Sequence, residues 1–175
     1  FDFGISTPPE LKWWNSCVGW CAKGVDALAD RLDFYGFKND VFGLEEIFQA
    51  NNKDVLFPSG ILGALIVSCS FIYVSEDSTG YPRLQIINAD DATGIIDTTT
   101  GLLNEGYAVL ERNIAKQPIL EAYFTHEGTF YYKDGRLIDQ RNYRIKEPLL
   151  VPLIFKPDAK RPFGHSRITR ACMDY

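Results

Sequence analysis

Apolar residues at Leu11, Trp14, Val18, Cys21, Val25, Leu28 and Leu32 follow one another in steps of three and four. That spacing predicts a narrow seam along one face of a helix. Its start is written at Thr7-Pro8-Pro9-Glu10: Thr7 can cap, Pro8 suits the first helical position and Glu10 completes a capping box. The helix ends near Asp33, ahead of Gly36, after about 39 Å. A sustained seam of this kind also suits a coiled coil. Gly19 and Gly24 within it, with Trp13 and Trp20 beside it, favour ordinary packing against a sheet or a neighbouring subunit.

Asn39 or Asp40 can cap a second, short helix through Glu45–Phe48, which Asn51-Asn52 breaks. Asp54–Val67 is a third helix, with Pro58 in its early turns and small faces at Gly60 and Gly63. Then the period changes. Cys69–Ser75, Arg83–Asn88, Ala92–Asp97, Glu105–Arg112, Ile119–Thr125 and Thr129–Lys133 read as strands, separated by turns at Ser78-Thr79-Gly80, Thr98–Gly101 and His126-Glu127-Gly128. Asp134-Gly135, between Phe130-Tyr131-Tyr132 and Leu137-Ile138, is the strongest local signal: a two-residue hairpin turn. Leu149–Phe155 is apolar with one proline and predicts a buried or edge strand. A stiff basic exit follows at Lys156–Pro162. Phe163–Tyr175 then looks like the first turns of a helix, with Ser166 as its cap. The predicted fold is α+β: N-terminal helices packed on an antiparallel sheet, mostly a meander, ending at the start of a long helix. The predicted divisions are a helical part at 1–57, an α+β domain at 58–156, and a linker with the start of a helix at 157–175.

Composition narrows the picture. With 46% hydrophobic and 23% charged residues over 175 positions, the chain has material for a real core and is not a disordered segment. Aromatic residues at 14% suit a sheet-rich interior. A net charge of -5 without a lysine or arginine run excludes a chain-wide nucleic-acid footprint. The longest apolar run, Ile61–Val74, is interrupted by Gly63, Ser68, Cys69 and Ser70, so no membrane contact is expected. The chain begins at Phe1 with no signal peptide and ends on an unfinished helical pattern, so it reads as a piece of something longer.

Chemistry is sparse. Cys17, Cys21, Cys69 and Cys172 are not spaced as a disulfide framework. Cys17 and Cys21 would share a helical face and could hold a metal, but neither His126 nor His165 sits in matching ligand spacing. Buried thiols in a reducing compartment are the favoured reading. Asp90, Asp91 and Asp97 are the best enzymatic candidates, as metal ligands or an acid/base set for a small hydrolase or nuclease. Aspartates at strand ends also cap their own turns, which is the commoner use. His126 beside Glu127 has no nucleophile tied to it. Gly164-His165-Ser166 lacks the second glycine of a nucleophile elbow. Lys156, Lys160, Arg161, Arg167 and Arg170 form a local basic patch that could touch phosphates or a subunit. No catalytic, cofactor-binding or metal residue is assigned.

The order of these elements carries a resemblance. The apolar strand with its Val151-Pro152, the basic loop and Pro162-Phe163-Gly164-His165-Ser166-Arg167-Ile168 resemble the end of the wing region in tailed-phage portal proteins, where a Gly-x-Ser segment opens the stem helix. Val25–Leu32 followed by Gly36-Phe37 is similar to the family's early helix and extended segment. Leu62–Val74 and the pattern around Asn88–Asp97 also fit. The resemblance implies a non-catalytic structural subunit, without a cofactor, that forms a homo-oligomeric ring of about a dozen copies at one capsid vertex. Double-stranded DNA would pass through the ring, with terminase, capsid and head-completion proteins as partners. The protein would belong to the virion, and to the host cytoplasm during assembly. Arg161, Phe163, Gly164, Ser166 and Arg167 would be the subunit-contact or hinge residues.

Overall fold

The computed structural model describes residues 20–168. Three helices lead: α1 (Trp20–Ala29), α2 (Leu44–Ala50) and α3 (Lys53–Val67). Eight strands follow: β1 (Cys69–Glu76), β2 (Pro82–Asn88), β3 (Ala92–Ile96), β4 (Leu103–Arg112), β5 (Pro118–Phe124), β6 (Thr129–Lys133), β7 (Arg136–Arg141) and β8 (Leu150–Ile154). The α+β architecture expected from the sequence is present, with the helices packed on antiparallel sheet. The strands form two sheets rather than one. β3-β4-β5-β6-β7 is the expected meander, whereas β2-β1-β8 is a separate three-stranded sheet.

The layers run helices, three-stranded sheet, five-stranded sheet. β1 is the middle of this stack, which explains why its first five residues are all buried. Alternation sends Ser70 and Ile72 towards α3, and Cys69, Phe71 and Tyr73 towards the five-stranded sheet. On the helical side, Ser70 Oγ donates to the Gly60 carbonyl at 2.7 Å. A Cβ on Gly60 would lie 2.9 Å from Leu153 Cδ1 and 3.0 Å from Ile86 Cδ1, so glycine lets α3 lie directly on the sheet. On the other side, Phe71, Tyr73, Ile87 and Leu150 meet Leu103, Ala108, Ala122, Phe124 and Tyr131 in one core. Ala108 and Ala122 are register partners and fully buried in this core.

Local signals worked where the chemistry is local. The Asp134-Gly135 turn has φ of 49° and 74°, both left-handed, as a two-residue hairpin of this twist requires. Asp40 accepts the N–H groups of Phe42, Leu44 and Glu45, serving the first turn of α2 from just outside it. Pro152 lies on β8, an edge strand, where its missing N–H interrupts no interior ladder.

Three expectations change. The boundary at 57/58 falls inside α3, which runs through Pro58 unbroken because the sheet beneath holds it. On the seam, Val25 is buried and Leu28 half-buried, but Leu32 is past the end of α1 and exposed. Residues 163–168 form a turn and a bend, not a helix, because their polar groups bond to α3 and to the strand ends instead. The capping box at Thr7–Glu10, the seam before Trp20, Cys17, Cys172 and the helical pattern beyond Ile168 lie outside the described residues. Among those described, no helix is long and apolar enough to cross a membrane.

Candidate functional site

The residues singled out by the resemblance come together as a strap, Lys156–Ile168, folded back against the domain. Lys156 has φ of 49° and turns the chain off the end of β8. Asp158 then organises the loop. Its Oδ1 accepts the N–H groups of Lys160 and Arg161, each at 2.8 Å, and its Oδ2 lies 2.5 Å from His165 Nε2. Arg161 Nη1 is 3.0 Å from His165 Nδ1. A neutral imidazole with its proton on Nε2 satisfies both contacts, donating to Asp158 and accepting from Arg161. The His165 hydrogen bond is the main reason the Asp158 carboxyl is held below the usual carboxylate range.

Past this cluster the strap is pinned to the fold. Phe163 packs its ring 6.2 Å from that of Phe71 at the edge of the core. Gly164 has φ of 80°, and a Cβ there would sit 2.2 Å from the Phe155 carbonyl oxygen. The neighbouring His165 N–H donates to that same oxygen at 2.9 Å. Ser166 Oγ donates to the Ile66 carbonyl at 2.5 Å, and the Arg167 N–H donates to the Leu65 carbonyl at 2.7 Å. These are carbonyls of the last turn of α3, which lack partners inside the helix. The strap therefore caps α3 from 100 residues away in sequence. Ser166 Oγ also accepts the Ile168 N–H at 3.0 Å, a local side-chain turn. Arg161, Phe163, Gly164, Ser166 and Arg167 are thus brought together, each with an intramolecular contact.

The aspartates are not brought together. Asp91 pairs with Arg112 at 2.5 Å. Asp97 accepts the Thr99 N–H and the Thr100 hydroxyl, and the Thr99 bond leads in holding its carboxyl below the usual range. Asp91 and Asp97 flank β3 at opposite ends, about 20 Å apart for extended chain, and Asp90 is exposed. Among the described residues no group of three His, Cys, Asp or Glu side chains is placed to hold a metal. His126 lies in its turn with Nδ1 2.7 Å from the Lys146 carbonyl. Cys69 is a buried thiol, pushed up by that burial.

One feature escaped the sequence reading. The outer face of the five-stranded sheet carries a lattice of tyrosines and glutamates. Tyr107 and Tyr123 are register partners on β4 and β5. Tyr107 donates its hydroxyl to Glu121, and Tyr123 donates to Glu105, along the two diagonals. The signal was available: Glu105-Gly106-Tyr107 and Glu121-Ala122-Tyr123 are the same Glu-small-Tyr triplet on successive strands.

Acid sensitivity follows from the turn aspartates. Asp77, Asp97 and Asp158 are all depressed, Asp77 first through the Thr79 hydroxyl. The unfolded chain, with aspartates near 3.9, therefore binds more protons than the folded one. Their contribution is present above about pH 4 and is lost as pH falls through the folded values. Melting temperature is expected to drop between about pH 5 and pH 2.5, and the Asp77→Asn variant should show a shallower drop. Equal slopes for the two proteins would refute this account.

No protein-family model matches the chain, and no curated protein matches it either.

Proposed function

We propose that the chain is a structural assembly module, and specifically the wing-like part of a phage portal subunit. The observation that supports this best is the pinned exit of the chain. An apolar edge strand, a basic loop and a Gly-His-Ser turn lie in the order the resemblance requires, and Ser166 is bonded both to the end of α3 and to the Ile168 N–H. The strap is held against α3, which is what a rigid junction between a wing and a stem would need. The helical end also exposes Tyr35, Val41 and Phe42, at 92%, 79% and 82%, an apolar surface suited to a neighbouring subunit. In this reading Arg161 and Arg167 contact an adjacent subunit, DNA passes through the assembled ring, and terminase, capsid and head-completion proteins dock on it. The separated aspartates give the hydrolase reading no geometric support.

Head-to-tail rings close only when each subunit presents two complementary surfaces. The isolated chain is expected to scatter light as a monomer or small oligomer, and the natural gene product carrying it as a closed ring of about a dozen copies. A gene product that never exceeds a dimer would overturn the portal reading. A stable ring from the 175-residue chain alone would overturn the division of contacts between wing and stem.

A further inference from the structure

The tyrosine–glutamate lattice encloses a cleft of about 320 Å³, lined by Tyr107, Glu121, Tyr123, Tyr132 and Gly135. Its chemistry is one-sided. The Tyr107 and Tyr123 hydroxyls already donate to Glu121 and Glu105, so their protons are directed at carboxylates rather than into the cleft. Glu121 accepts through Oε1. What faces an incoming group is aromatic ring, carboxylate oxygen and glycine backbone. Rings present negative π faces, and a carboxylate accepts only. No cationic side chain lines the cleft. The Arg112 guanidinium, which acts on Tyr107, is held by Asp91, and alternation along β6 puts Lys133 and its register partner Arg136 on the face opposite Tyr132.

We propose that this cleft is a binding site for an arginine side chain of a partner polypeptide. A planar guanidinium can stack on a phenol ring while hydrogen-bonding a carboxylate, and it is less strongly hydrated than an ammonium. A polypeptide source is favoured by the neighbouring strand. β7 is the edge of the five-stranded sheet, every residue from Arg136 to Arg141 is exposed, and it joins the cleft through Gly135. A chain adding to that edge would be held by main-chain hydrogen bonds and could place one side chain over the rings. The proposal stands apart from the portal reading, since it uses the opposite layer of the molecule.

The test is an NMR titration of the full chain, following the tyrosine ring signals and β7 amide exchange. N-acetyl-arginine amide should shift Tyr107, Tyr123 and Tyr132 saturably, while its neutral citrulline counterpart should not. Glu121→Gln, which keeps an acceptor for Tyr107, and Tyr132→Leu should each weaken binding about tenfold, the usual scale for losing one charge or ring contact. Melting curves would show that both variants fold. A β-forming peptide with a central arginine should bind more tightly than the amide and protect the β7 amides from exchange. Equal binding of citrulline, unmoved tyrosine signals or an unaffected Glu121→Gln variant would overturn the site. Choline binding as tightly as the arginine amide would overturn the arginine assignment. Peptide binding without β7 protection would overturn the edge-strand source.

Discussion

Replacing Phe124 with alanine is expected to destabilise the domain by about 3–5 kcal/mol, the range for truncating a fully buried phenylalanine. Phe124 has no exposed surface. It is the last residue of β5, and it meets Tyr73 of the other sheet edge-on, with ring centroids 5.5 Å apart. The sheets also meet through the hydrogen bond between the Tyr73 and Tyr131 hydroxyls at 2.9 Å, which the same truncation would leave beside a cavity. Losing the ring removes buried apolar surface and also opens the junction between sheets, where the neighbouring Ala108 and Ala122 are too small to fill the space. Urea unfolding monitored by circular dichroism would measure the change. Leu137→Ala, on the exposed edge strand β7, is the matched control and should stay within about 0.5 kcal/mol of the parent. A Phe124→Ala loss below about 1 kcal/mol would mean that the sheets do not share one core.

Gly164→Ala is the second large effect, expected to cost about 3 kcal/mol or to release the strap. Two penalties act together. The left-handed φ of 80° disfavours any residue with a Cβ, and that Cβ would stand 2.2 Å from the Phe155 carbonyl oxygen. The nearest obstacle is backbone, the Phe155 carbonyl, and the branched Ile154 side chain crowds the same space with Cγ2 at 2.8 Å. If the strap lifts, the Leu65 and Ile66 carbonyls lose the Arg167 and Ser166 donors and the end of α3 frays. Denaturant unfolding reports the first outcome and limited trypsin digestion the second. The expected cleavages are after Lys160 and Arg167, because the bonds after Lys156 and Arg161 precede proline. A variant with parental stability and parental resistance to trypsin would show that the strap is not held as described.

How far the sequence reached depends on the range of the interaction concerned. The strand positions, the Asp134-Gly135 hairpin, the Asp40 cap and the break at Asn51-Asn52 were legible because each is decided within a few residues. Left-handed φ values, carboxylate caps and period-two alternation leave marks in the residues that adopt them. The α+β class followed from their order. The candidate strap was legible as a stretch, since Gly164 and Ser166 stood out after an apolar strand, but its role was not. Read locally, Ser166 starts a helix; in the fold its hydroxyl also closes the end of α3, 100 residues earlier in the chain. The tyrosine–glutamate lattice left a repeated triplet, yet that triplet means nothing until Tyr107 and Tyr123 are in register.

The sequence by itself determined the strands, the tight turns and the helices α2 and α3, and that consecutive strands mostly pair as a meander, because short connections leave them few other partners. Only the tertiary structure decided that the strands divide into two sheets. β8 pairs with β1 about eighty positions upstream rather than with β7. The physical reason lies in β1, which is apolar on both faces and therefore needs cover from both sides. α3 supplies one cover through its glycine face and the five-stranded sheet supplies the other. The edge strand that completes the three-stranded sheet is chosen by burial against that core, a sum over distant residues that no local pattern records.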